Sequence, residues 1–163
     1  MKTLLLLTFI VVFMSPLQAQ KQQAKPSQIP PFKVLLTNGS YFYNKDVPAN
    51  KPFVVIYFAP DCDHCIVLMD DLFPRFRQLD KASVLMVTYK NPQEIIPFEK
   101  KYNTYQYPNL KVGTEGLAYN LKNFYKLERT PFMALYNKQG QLVATYNDKS
   151  PASALLAAYK TLK

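Results

Sequence analysis

Compact apolar runs alternate with amphipathic stretches along this chain, in an order that predicts an α/β domain. Residues 53–59 (FVVIYFA) contain no charged residue and are rich in β-branched and aromatic side chains. Such a run marks a strand buried on both faces. Beyond it, apolar residues recur at Leu68, Met69, Leu72, Phe73, Phe76 and Leu79. That spacing predicts a helix lying on the sheet, kinked by Pro74. Residues 84–87 form a second buried run, and Asn91-Pro92 fits the N-cap and first position of a helix through about residue 101. Strand, helix, strand, helix with short connections predicts parallel strands joined by helical crossovers.

The flanks add strands of the other sense. Residues 32–36 and 40–43 surround Asn38-Gly39, predicting a hairpin with a two-residue turn ahead of the main sheet. Residues 107–112 read as an extended piece and 115–125 as a helix. Pro131 opens a run to Tyr136, residues 137–140 make a turn and 142–146 alternate, which predicts an antiparallel hairpin. A last helix is expected over residues 151–162, with Ser150 as N-cap, Pro151 at the first helical position and Leu155, Leu156 and Tyr159 inward. No internal repeat is visible.

The N-terminus follows different rules. Lys2, an apolar stretch over residues 4–14 and Ala19 after Leu17-Gln18 have the form of a secretory signal cleaved near Ala19. The stretch is shorter than the roughly 20 residues a bilayer span needs. No cysteine follows it to carry a lipid anchor. Residues 20–31, polar and proline-bearing, read as a flexible linker, and residues 32–163 as the domain. The protein is therefore expected to be exported, to the periplasm.

Length and composition support one ordinary core: 163 residues, 48% hydrophobic and 14% aromatic. The formal charge is +9, from 20 basic and 11 acidic residues; removing residues 1–19 takes away Lys2 alone and leaves 19 against 11, or +8. The basic residues are scattered, with Lys100-Lys101 the longest run. A solvated surface is expected, and no nucleic-acid partner.

Chemistry concentrates in Cys62-Asp63-His64-Cys65, where the buried strand gives way to a helix. A helix N-terminus offers free N–H groups and partial positive charge, which stabilise a thiolate at the first cysteine. Residues three apart on a helix are neighbours, so Cys62 and Cys65 are placed to close a disulfide. A purely structural disulfide would close too short a loop to add much stability. A metal site would have two cysteines and the chain's one histidine, three ligands where a closed zinc site takes four. A protonated His64 near Cys62 would stabilise the thiolate, whereas Asp61 and Asp63 would oppose it.

The stretch FVVIYFAPDCDHC, the helix after it and Arg129-Thr130-Pro131 ahead of a hairpin strand resemble the thioredoxin superfamily, and within it the TlpA/ResA-like branch of exported thiol–disulfide oxidoreductases. The resemblance covers residues 32–162 and includes the N-terminal hairpin and a strand-helix insertion at 104–129. It implies an α/β thioredoxin-like fold with a mixed central sheet, Cys62 as nucleophile and Cys65 as resolving cysteine. It also implies a cis Thr130–Pro131 bond beside the motif, with Thr130, Pro131 and Pro60 contacting substrate; His64 and Asp63, by their charge beside the sulfurs, are expected to tune the couple. Protein disulfides or dithiols would be the substrates, an envelope or membrane redox protein would recycle the pair, the protein would be a monomer, and no cofactor would be needed. Two departures stand out: Asp61 replaces the usual tryptophan, and Ile56 replaces the buried acid that assists the resolving cysteine, which implies slower reductase turnover. A thiol peroxidase is disfavoured because no threonine or serine precedes Cys62 at the spacing such sites use. The alternatives from other classes are an envelope metallochaperone for copper or zinc and a redox-degenerate binding module. Metal content on purification would mark the first, and a normal redox couple without exchange activity the second.

Overall fold

Strand β3 (Phe53–Tyr57) is buried along its whole length, and the sheet is organised around it. Val54 and Ile56 face one apolar cluster, while Phe53, Val55 and Tyr57 face another. Burial of one such side chain contributes roughly 1.5–3 kcal/mol, so a strand with both faces covered anchors the sheet more firmly than any edge strand. The computed structural model describes residues 28–162. The expected signal segment and residues 20–27 of the expected linker lie outside them.

Six further strands join β3: β1 (Lys33–Leu36), β2 (Tyr41–Tyr43), β4 (Ser83–Thr88), β5 (Leu110–Thr114), β6 (Phe132–Tyr136) and β7 (Leu142–Tyr146). The order is β2-β1-β5-β4-β3-β6-β7. The β3, β4 and β5 strands are parallel, and β1, β2, β6 and β7 complete a mixed sheet through antiparallel pairings. Helices α1 (Asp63–Leu72) and α4 (Ala152–Lys160) cover one face together with α2 (Pro92–Tyr102). The short α3 (Asn120–Phe124) places Leu121 in the cluster on the other. No helix among the described residues is long and apolar enough to cross a membrane.

Pro74 has the expected effect. It lacks an N–H and cannot continue the α ladder, so α1 ends at Leu72 and the chain proceeds as a 3-10 helix over Phe73–Leu79, still burying Phe73, Phe76 and Leu79. At α2 the Asn91 N–H donates to Glu94 Oε2 at 2.9 Å, one half of a capping box.

Four local expectations need correction. The first hairpin turns through three residues, since Leu35 pairs with Tyr41 and the Leu36 N–H donates to Ser40 O at 2.8 Å; Gly39, at φ +84°, closes it. Residues 107–112 are not one strand: a 3-10 turn occupies Thr104–Gln106 and β5 runs Leu110–Thr114. The helix expected over 115–125 is broken, with a 3-10 turn at Gly116–Ala118 and a left-handed Tyr119 before α3. At α4 the N-cap position belongs to Pro151, because Ser150 Oγ is engaged by the Asn147 N–H at 3.3 Å. Ahead of β1, Gln28 bridges Gln141, and the Ile29 N–H donates to Gly140 O at 3.2 Å.

Gly113 shows why β1 can lie against β5. A Cβ there would stand 2.5 Å from the Leu35 carbonyl oxygen and 2.7 Å from Val34 Cγ1, both fixed by the sheet. Gly113→Ala is therefore expected to lower stability by about 1–3 kcal/mol, read as an earlier urea midpoint at unchanged slope. An unchanged midpoint would show that β1 can shift away at no cost.

Candidate active site

The parallel pairing of β3 with β4 brings both carboxyl ends to one edge of the sheet, and the antiparallel pairing of β3 with β6 returns the chain before Phe132 to the same place. The motif emerges there. Cys62 is the N-cap residue of α1, extended at φ −99° and ψ 119°, and is half-buried. Cys65, one turn into the helix, is 1% exposed, and its Sγ accepts a hydrogen bond from the Ala59 N–H at 3.4 Å. Thr130 reaches the motif from the other side: the Cys62 thiol donates to the Thr130 carbonyl oxygen at 3.6 Å, and the Thr130–Pro131 bond is cis.

These surroundings ionise the two thiols differently. Burial works against the Cys62 thiolate, but hydrogen bonds from the Thr130 side chain, from Cys65 and from the Cys65 and His64 backbone outweigh it. The Cys62 pKa therefore lies below its ordinary value. The Thr130 carbonyl contact favours the neutral thiol and must be given up on ionisation. Burial dominates at Cys65 and pushes its thiol up to about 12. The pair thus combines a half-exposed sulfur whose ionisation is favoured with a buried sulfur that keeps its proton at neutral pH.

The other expected site residues divide around this pair. His64 is exposed and lines a cavity of about 280 Å³ together with Thr130, Tyr57, Tyr89, Lys122 and Arg129. Asp63 is exposed at the first helical position. Pro60 lies on the opposite flank, in a cavity of about 380 Å³ walled by Ile66, Phe98 and Tyr102, so it does not share a pocket with Thr130. Among the described residues no group of three or more His, Cys, Asp or Glu side chains could hold a metal ion.

Two features were not visible in the sequence. Lys90 Nζ donates to Asp61 Oδ2 at 2.6 Å and stands 3.5 Å from Glu94 Oε1. The Lys90 hydrogen bond holds the Asp61 carboxyl below its ordinary value and offsets the negative charge that precedes Cys62. Asp61 therefore opposes the thiolate less than its position alone suggests. The second feature is Glu115, buried behind the site, which accepts from Tyr57 OH and the Leu121 N–H, both at 2.7 Å, and from the Lys122 N–H at 3.2 Å. It ties the start of α3 to the end of β3. Nothing in the sequence around Glu115 marked it, since the strand before it carries Lys111, Gly113 and Thr114.

No protein-family model and no curated protein matches the chain. Solved structures do. The exposed lipoprotein thioredoxin Etrx1 of Streptococcus pneumoniae is 24% identical, with 81% of this chain and 99% of that one covered at a TM-score of 0.61. A secreted Mycobacterium tuberculosis disulfide oxidoreductase homologous to Escherichia coli DsbE is 16% identical, covering 80% and 96% at 0.67. A peroxiredoxin-like protein of Aquifex aeolicus is 14% identical, covering 85% and 86% at 0.69. The fold is thioredoxin-like, as the sequence resemblance implies.

Proposed function

We propose that this protein exchanges disulfides with protein substrates in the cell envelope through Cys62 and Cys65. The observation that carries this reading is the pairing of an ionisable, half-exposed Cys62 at the start of α1 with a buried, protonated Cys65 one turn away. In the reducing direction the Cys62 thiolate attacks one sulfur of a substrate disulfide and expels the other as a thiolate. Cys65 then loses its proton, attacks the Cys62 sulfur and releases the second substrate thiol. Two electrons pass to the substrate, whose two sulfurs leave as thiols with the Cys65 proton and one from solvent, and the enzyme is left with a Cys62–Cys65 disulfide that an envelope redox partner reduces. Oxidation of substrates reverses these steps. Thr130 and Pro131 would hold the substrate backbone as an added strand, and Pro60 would meet it from the other flank. No cofactor takes part, and the protein acts as a monomer.

Catalysed reduction of insulin by dithiothreitol tests the activity. The wild-type protein is expected to accelerate it and Cys62→Ser to leave the uncatalysed rate; equal acceleration by both would dismiss the motif. Fractionation of the native host should place the protein in the envelope without residues 1–19, whereas a cytoplasmic, uncleaved chain would overturn the location.

His64 and Asp63 are proposed to tune the couple with opposite signs. If His64 stabilises the Cys62 thiolate, it stabilises the reduced protein, and His64→Ala should make the couple more reducing. Asp63→Asn should make it more oxidising. An interaction of about 1.4 kcal/mol is about 30 mV in a two-electron couple, and exposed charges give less. An oxidising shift for His64→Ala, measured against glutathione, would contradict the assignment.

A further inference from the structure

We infer that the cavity beside Cys62 is a subsite for an acidic side chain of the substrate, with Lys122 as the residue that selects it. This rests on the exchange activity proposed above. Thr130 both lines the cavity and places its carbonyl oxygen 3.6 Å from the Cys62 sulfur. A substrate whose cysteine reaches Cys62 therefore has its next residue or two over the cavity, since an extended chain advances about 3.3–3.6 Å per residue.

The cavity's charges are unequally committed. Arg129 faces Asp148 at 3.9 Å, and each Glu115 oxygen behind the wall already accepts from Tyr57 OH or the α3 backbone. Glu128 is exposed. Lys122 differs from all of these. Its backbone N–H is tied to Glu115, and its ammonium sits 4.8 Å from the Tyr119 ring centroid and 5.5 Å from that of Tyr89. Among the described residues it forms no ion pair. Two aromatic faces thus hold a cation in place without neutralising it. A carboxylate entering the cavity meets a charge already positioned, and little ordering cost remains. The exposed Glu128 side chain, which no ion pair holds among the described residues, would have to be ordered before it could favour a basic residue. The basic balance of the chain, +8 once residues 1–19 are removed, draws acidic partners in the same sense.

The test uses the reduced full-length protein and symmetric disulfides of a short peptide carrying Glu, Gln or Lys next to its single cysteine. At low salt the wild-type protein is expected to react about threefold to fivefold faster with the Glu peptide than with the Gln peptide, and slowest with the Lys peptide, the differences fading at high salt. Lys122→Met keeps the stem against the rings and should bring the Glu and Gln rates together without slowing the Gln peptide. Lys122→Glu should reverse the order. A wild-type protein that reacts with all three peptides equally, or a preference that survives in Lys122→Met, overturns the subsite and leaves the exchange activity standing. Failure to react with any of the three overturns both.

Discussion

At pH 7 iodoacetamide should modify Cys62 at least about a hundredfold faster than Cys65 in the reduced protein. Thiolate is the reacting form, and its fraction falls tenfold for each unit by which the pKa exceeds the pH. With Cys65 pushed up to about 12, its thiolate fraction at pH 7 is on the order of one in a hundred thousand. Burial also hinders approach, since Cys65 is 1% exposed. Cys62 has the opposite bias: its pKa is lowered, so its reactivity should persist to lower pH than that of an ordinary thiol. Peptide mapping after a timed reaction gives both rates. Comparable rates would mean that the helix start and the Thr130 contacts do not separate the two thiols.

The second large effect concerns the mixed disulfide. Cys65→Ser removes the thiol that releases substrate, so a covalent Cys62–substrate adduct should accumulate, while Cys62→Ser should form none. In the wild-type protein release depends on the Cys65 thiolate. Its fraction rises about tenfold per pH unit below a pKa of about 12, so release should accelerate with pH from neutrality upward while the first attack levels off above the Cys62 pKa. The apolar Ile56, fully buried in β3, offers no base to shorten that step. Non-reducing electrophoresis after an acid quench resolves the adduct. Equal trapping by the two variants would dissolve the division of roles.

What was legible in the sequence follows from how each element is buried. β3 and β4 are covered on both faces, so apolar runs mark them directly. The motif was legible because its spacing and its place between β3 and α1 are local properties. Residues 104–129 were not. β5 carries the exposed Lys111 and the apparently disruptive Gly113, whose role appears only once β1 is known to lie against it. Gly116 and Tyr119 have positive φ and break what periodicity suggests is one helix. The Asp61–Lys90 pair and the Tyr57–Glu115 contact join residues 29 and 58 positions apart, and only the strand order brings them together.

Equilibration of the protein in glutathione buffers at pH 7, with acid quench, alkylation and mass measurement of the intact chain, tests the central claim most directly. Cys62 and Cys65 are predicted to pass together from two free thiols to one intramolecular disulfide in a single two-electron transition, with no stable glutathione adduct. A protein whose two cysteines oxidise independently, or which collects glutathione on Cys62 without closing to Cys65, would contradict the account.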